Sequence, residues 1–589
     1  MCQIKDPIVT ARAILLLLLP VATLATGATP LTPAPARLKV GIVQLAPAGT
    51  IAANRDRMVA GLADAAARGA RVVVFPESAL NGQGNHDPSL VDDAVTAIRR
   101  AAREQRVYAM FGATTYAPEQ KRDTNWMLVI GPDGRDVFRY DKIYDRRRHP
   151  MPGVFAIDGV ACSALLCADR WLRGVEEIPI QHGAQISFEL SCNFTSEWVE
   201  PLQWYWYVPR ALRNNVWVVF ANSSQADPAS GNVLPGAERV GHGHSAVIAP
   251  DGRVVASSGT KETIVMAEFD PGEATRAEAL ARSAHPALHA FWTAGVKLQA
   301  GGTIDASPVA AGKSAPTALT LAVAQVTDDL AAMTARISEA AARGADLVVF
   351  PARAISVGAL APLQAAAREN KITVVFGAEE GTAAGDRRNS AFVLGPDGSL
   401  LTRYDQVSAR APFAAGTNLA AMWFRVKGIA AVVTIGRDAL WTELAELAAV
   451  AGAQLHVHLE RDPAADSAST LRRRQVWANL ASFQTFTAIA NVVDSGIWDD
   501  FGNQEERRAE VRNQPRPDSG TVEIYSPFSA NLVGHASPES PLLVATRQVP
   551  AGNVHYPRQS AQLNPQMDAW YRFGAAAIRA RPSAVPAQK

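Results

Sequence analysis

Short apolar runs alternate with longer amphipathic ones along the chain. "RVVVFP" (71–76), "YAMFGATTY" (108–116), "NWMLVIG" (125–131) and "WVVFAN" (217–222) are rich in β-branched and aromatic residues and predict buried strands. "NRDRMVAGLADAAARG" (54–69) spaces its apolar residues as a helix does, with Gly69 as its C-terminal stop. "GPDGR" (131–135) and "APDGR" (249–253) read as tight turns between paired strands. The pattern predicts α/β structure with antiparallel pairs, not a purely parallel sheet.

The same pattern is written twice. "LKVGIVQL" (38–45) returns as "LTLAVAQV" (319–326), and "DAAARGARVVVFPES" (64–78) as "EAAARGADLVVFPAR" (339–353). "AAREQRVYAMFGA" (101–113) returns as "AARENKITVVFGA" (366–378), and "IGPDGRDVFRYDKIYDR" (130–146) as "LGPDGSLLTRYDQVSAR" (394–410). "GVACSALLCAD" then matches "GIAAVVTIGRD", and "HPALHAFW" (285–292) matches "NPQMDAWY" (564–571). The kept order implies an internal duplication. It divides the chain into residues 38–300 and 317–580, joined by a Gly/Ser/Pro/Ala-rich linker at 301–316.

Bulk properties narrow the function. With 589 residues, 48% of them hydrophobic, the chain is long enough for two cores of ordinary enzyme size. A net charge of +1 gives no support for a nucleic-acid-binding surface. The N-terminus carries Lys5 and Arg12, an apolar core around Ala13–Leu24 and then small residues. Residues 1–28 read as a secretory signal peptide, with an uncleaved anchor as the alternative. Export and no stable membrane insertion after cleavage are the expectation. Of the four cysteines, Cys2 would leave with the leader. Cys162, Cys167 and Cys192 remain, an odd number that asks for a free thiol with a role.

Three reactive residues of the first half fall where apolar runs end: Glu77 after "VVVFP", Lys142 after "VFRYD" and Cys167 after "VACSALL". A thiol nucleophile needs a base, which a carboxylate supplies, and its oxyanion needs a fixed cation, which an ammonium supplies. "FPES", "RYDK" and "LLCADRW" resemble the three motif blocks of the nitrilase superfamily, the carbon–nitrogen hydrolases, and the similarity runs in order over residues 38–270. The resemblance implies two tandem αββα sandwiches, packed as an internal pseudo-dimer. It also implies a Glu-Lys-Cys site with Glu77 as base, Lys142 as oxyanion partner and Cys167 as nucleophile. The Ala168 N–H would complete the oxyanion hole, while Asp169 and Arg170 would brace the turn. Trp171, Cys192, Asn193 and Trp198 are candidates for the substrate pocket. No cofactor and no metal are implied, and His242 and His244 lack a third ligand at suitable spacing. The chain departs from the family in having no second Glu soon after the Lys, Asp145 being the nearby carboxylate. The basic run Arg146–His149 reads first as a solvated loop and second as an entrance for anionic substrates.

In the second half Glu77 aligns with Ala352, Lys142 with Gln406 and Cys167 with Gly436. That half is expected to be a pseudoenzyme domain serving as a built-in partner, with higher oligomers left open. The leading expectation is an exported thiol amidohydrolase acting on a small amide. Acyl transfer from the same acyl-enzyme, and a non-catalytic binding or scaffold role, are the alternatives.

Overall fold

The computed structural model describes residues 36–579, apart from 48, 82–85, 119–120, 145–150, 193–197, 199–201, 226–240, 306–316, 327, 357–359, 382–384, 482–485, 499–531, 537–539 and 550–564, and apart from some side chains, Trp171 among them. The leader, most of the linker, Asp145, Arg146–His149 and Asn193 lie outside the described residues.

Strands of the first half are β1 (Leu38–Gln44), β2 (Val72–Val74), β3 (Tyr108–Ala117), β4 (Arg122–Ile130), β5 (Asp136–Asp141), β6 (Phe155–Ile157), β7 (Val160–Leu166), β8 (Ile186–Ser191), β9 (Trp217–Asn222), β10 (Ala246–Ile248), β11 (Val254–Ser257) and β12 (Thr263–Phe269). They form two six-stranded sheets, in the orders β12-β1-β2-β3-β4-β5 and β11-β10-β9-β8-β7-β6. β1, β2 and β3 run parallel, as do β7, β8 and β9, while both sheets finish in antiparallel strands. Both "PDG" turns join antiparallel strands, β4 to β5 and β10 to β11.

The central strands β2, β8 and β9 are buried along their whole length because both faces are covered. Between the sheets lie Val40, Val72, Met110, Leu166, Phe188 and Val219. Outside the first sheet pack the helices Ile51–Ala67 and Pro88–Gln105, the former begun by a Thr50 cap on the Ala53 N–H. The helix Tyr207–Asn214 covers the second sheet. The result is an αββα sandwich.

The second half repeats the design with β13 (Thr317–Ala324), β14 (Leu347–Val349), β15 (Ile355–Ser356), β16 (Thr373–Gly381), β17 (Arg387–Leu394), β18 (Leu400–Asp405), β19 (Trp423–Val426), β20 (Ile429–Ile435), β21 (Leu455–Leu459), β22 (Phe486–Ala490), β23 (Ser495–Trp498), β24 (Leu532–Ala536) and β25 (Leu542–Val549). Its sheet orders, β18-β17-β16-β14-β13-β25 and β19-β20-β21-β22-β23-β24, match the first half strand for strand, with β15 added.

The halves pack through the helices His289–Gln299 and Pro565–Arg579, which come from the matching ends of the two repeats. Phe291 stacks on Trp570 with ring centroids 4.5 Å apart, and Trp570 Nε1 donates to the Phe291 carbonyl at 2.6 Å. A Cβ on Gly295 would sit 2.3 Å from the Trp570 ring, and one on Gly574 would sit 2.6 Å from Phe291. Gly295 and Gly574 are equivalent in the repeat, as are Phe291 and Trp570. Each glycine therefore receives the other half's aromatic, the reciprocity of a two-fold interface written within one chain.

Candidate active site

Glu77, Lys142 and Cys167 come from three chain regions and two sheets. Lys142 Nζ donates to Glu77 Oε1 at 2.6 Å, and both side chains are almost wholly buried. Asn125 of β4 donates to the same carboxylate oxygen at 2.7 Å. The Lys142 N–H is fixed on the Asn125 carbonyl at 2.8 Å. Gly112 of β3 lets the Glu77 backbone approach, since a Cβ there would lie 1.9 Å from the Glu77 carbonyl oxygen. Burial works against the Lys142 charge, but Glu77, then Cys167 and Asp169, outweigh it and hold the ammonium above the ordinary lysine range.

Cys167 lies just past β7, at the start of the short 3-10 helix Cys167–Trp171, so it does not share the strand face with Cys162. Its φ of +45° is a left-handed conformation uncommon for a residue with a Cβ. Arg170 Nη2 donates to Cys167 Sγ at 3.6 Å. Ala168 is the next residue of that 3-10 helix.

Asp169 holds the lysine loop against the cysteine turn. Its carboxylate accepts from the N–H groups of Ile143 (3.1 Å) and Tyr144 (2.7 Å) and from the Tyr140 hydroxyl at 3.2 Å. Burial pushes this carboxyl up to about 7 against the pull of Lys142. Arg170 is anchored by Glu189 of β8 at 3.1 Å and by the Tyr207 hydroxyl at 2.7 Å. Glu189 is fully buried and also holds Arg210 at 2.6 Å. Sequence reading did not single out Asn125, Glu189 or Arg210. The available signal was a lone carboxylate in the apolar strand "ISFELS".

Of the pocket candidates, Cys192 follows β8 and is half-buried. Trp198 stacks flat on His244, with ring centroids 3.7 Å apart, and meets Trp204 edge-on at 5.3 Å. His242 and His244 face each other, Nδ1 to Nδ1, at 3.4 Å. Burial, then His244, lowers His242 to about 3, so it is neutral near pH 7. Cys162 sits in the core between the sheets, where burial pushes its thiol up. No disulfide joins Cys162, Cys167 and Cys192 to one another. Among the described residues no group of His, Cys, Asp and Glu is arranged to hold a metal, and no helix is long and apolar enough to cross a membrane.

The second half keeps the frame and changes the contents. Gln406 N–H still bonds a β17 carbonyl, that of Asn389, at 2.9 Å, and Tyr404 still donates to Asp438 at 2.8 Å. Gly377 still lies against Ala352, where a Cβ would come within 2.5 Å of the Ala352 Cα. Asn389 donates to Gln406 Oε1 at 2.9 Å, whereas its first-half equivalent Asn125 donates to Glu77. Gly436 keeps the left-handed turn at φ +56°, but as a glycine it carries no steric penalty. The supporting pair has gone too. Ala439 stands where the first half has Arg170, and His458 where it has Glu189, the strand registers pairing Leu165 with Glu189 and Thr434 with His458.

The sequence profile described as "Carbon-nitrogen hydrolase" matches residues 39–279 and 315–485. Omega-amidase NIT2 of Homo sapiens is 25% identical over 257 residues, 39% of this chain and 88% of that protein. The 2-oxoglutaramate amidase of Bacillus subtilis is 27% identical over 223 residues, 34% of this chain and 78% of that protein. Among solved structures, an amidase from Nesterenkonia sp. matches at 19% identity over 40% of this chain and 90% of that one, with a TM-score of 0.34. With matched segments in both halves and the same sandwich built twice, the chain belongs to the carbon–nitrogen hydrolase family, the nitrilase superfamily, as two tandem domains.

Proposed function

We propose that the first half hydrolyses a small amide through a Cys167 acyl-enzyme, that the second half is a non-catalytic partner, and that the chain is exported. The observation that carries the chemistry is the buried 2.6 Å Lys142–Glu77 pair beside a cysteine turn held at positive φ. Glu77 takes the thiol proton as Sγ attacks the amide carbon. The oxyanion gathers between Lys142 Nζ and the Ala168 N–H. Glu77 returns the proton to the nitrogen, the C–N bond breaks, and ammonia or an amine departs from a thioester. Water, deprotonated by Glu77, attacks that thioester. The carboxylic acid leaves and Cys167 regains its proton. Trp198 and Cys192 line the pocket in this reading. The leader "MCQIKDPIVTARAILLLLLPVATLATGATP" supports export.

One named relative is an omega-amidase and another a 2-oxoglutaramate amidase, so 2-oxoglutaramate belongs in the first substrate panel. The full chain is incubated with small primary amides, with and without hydroxylamine, following ammonia release and intact mass. Ammonia release with a transient acyl adduct on Cys167 is expected, and hydroxamate as the main product would shift the reading to acyl transfer. A panel that yields neither ammonia nor adduct contradicts the enzyme reading. Fractionation of the producing cells tests export, which full-length protein retained in the cytoplasm would contradict.

A further inference from the structure

A chain of buried ion pairs leads from the nucleophile turn to the second domain. Arg170, which donates to Cys167 Sγ, pairs with Glu189, and Glu189 pairs with Arg210. Arg210 lies 3.6 Å from Glu176, which accepts two bonds from Arg213 at 2.6 and 2.7 Å. Arg213 pairs with Glu177 at 3.2 Å. Glu177 in turn holds Arg173 at 2.6 Å and Arg282 at 2.7 Å. The last partners belong to the other half: Glu446 accepts from Arg173 Nε at 2.6 Å, and Glu443 accepts from Arg282 at 3.0 Å. None of these side chains is more than 8% exposed.

The charges decide what this chain needs. Among the described residues it joins five guanidiniums, all from the first half, to five carboxylates, three from the first half and two from the second. The first half alone holds two more cations than anions here. Unpaired buried charge is costly, so each guanidinium left without a partner draws on the next carboxylate along. Without Glu443 and Glu446, Arg173 and Arg282 would take Glu177 from Arg213. Arg213 would then take Glu176 from Arg210, Arg210 would take more of Glu189, and Arg170 would turn from Glu189 toward the cysteine sulfur.

We infer that Glu443 and Glu446 are positioning residues for Cys167: the second domain supplies the two carboxylates that balance the arginine chain and so set how firmly Arg170 holds the nucleophile. This rests on the reading of Cys167 as nucleophile and deepens it.

The test is alkylation of Cys167 in the full chain by iodoacetamide, mapped by peptide mass and followed as a function of pH. It reads the thiol whether or not any amide is turned over, so failure of this inference is distinguishable from failure of the amidase reading. Lys142 from a strand end, Arg170 on its own turn and Tyr207 across it act on Cys167. None of these changes in the variants. Glu443→Gln/Glu446→Gln is expected to lower the midpoint of the alkylation profile by about half a pH unit or more, the size of added positive charge acting through the protein interior. Glu443→Gln alone should give about half that shift and covers the case where the double variant fails to fold. Glu443→Asp/Glu446→Asp, which keeps the charge, should restore most of the profile. The control is Glu278→Gln, which removes another interface carboxylate, held by Arg410, Arg437 and Trp441 of the second half. It should leave the midpoint in place. An unshifted midpoint in the folded Gln variants, or an equal shift in Glu278→Gln, would overturn the inference.

Discussion

The turn at Cys167 and the turn at Gly436 are the same piece of backbone used in two ways. Both follow a buried strand, both are left-handed, and both are tied by an aspartate to the neighbouring tyrosine and loop backbone. In the first half the position holds a cysteine despite the conformational cost, with Lys142, Glu77 and the Arg170–Glu189 pair around it. In the second half a glycine relaxes the turn, and Asn389, Gln406 and Ser408 hydrogen-bond in series beside it. The frame persists because it is part of the fold. The side chains proposed to carry the chemistry, Glu77, Lys142 and Cys167, are absent from the second half together with the Arg170–Glu189 pair.

The largest expected effect comes from writing the second half's residues into the first. Glu77→Ala or Lys142→Gln should lower kcat/KM for the best amide by about a hundredfold to ten-thousandfold, read in steady-state assays. Either variant retaining more than a tenth of the activity would break the contrast between the halves.

Next in size is the contact that joins them. Gly574→Leu forces a side chain into Phe291 and Leu447, and Gly295→Leu forces one into Trp570 and Ile178. Each should cost about 1–3 kcal/mol in urea unfolding, with loss of activity alongside. Similar losses from the two substitutions would sharpen the pseudo-two-fold description. Stability and activity both unchanged would contradict tight pairing.

Each half also carries a buried neutral histidine. Burial, then the neighbouring histidine, lowers His242 and His456 to about 3. Below pH 6.5 the unfolded chain binds protons that the folded state refuses. The stabilisation from these rings is therefore complete above pH 6.5 and is lost as the pH falls from there toward 3. At pH 5 the loss is about 2 kcal/mol for each ring. His456→Gln should show a smaller drop in urea midpoint between pH 7.5 and pH 5 than the unsubstituted chain. An equal drop would place the acid sensitivity elsewhere.

The smallest expected effect is none. Ala352→Glu/Gln406→Lys/Gly436→Cys in a Cys167→Ala background restores the three lost residues but not the Arg170–Glu189 pair, and should leave amide turnover at background. Recovered turnover would show that those three residues alone separate the halves.

Much of this was legible in the sequence because duplication supplied its own alignment. The division into two matching halves followed from repeated blocks kept in order, and Glu77, Lys142 and Cys167 stood out against Ala352, Gln406 and Gly436. Asp169 was marked as a brace, but the loop it braces, at Ile143 and Tyr144, could not be read from its position beside the cysteine. Glu189 and Arg210 were invisible for a related reason. A carboxylate in a strand and an arginine in a helix are ordinary separately, and their roles appear when the helix Tyr207–Asn214 folds across β8. The Glu177–Arg282–Glu443 contact joins residues from both domains, and no local pattern announces it.

The most direct test of the division of labour is amide turnover by the full chain carrying Cys167→Ala, assayed beside the unsubstituted chain on the same substrate. The account predicts turnover at the uncatalysed background and no acyl adduct in the variant, with its unfolding curve close to that of the parent. Turnover that survives the substitution would contradict it, because the chemistry would then have to lie outside the Cys167 site.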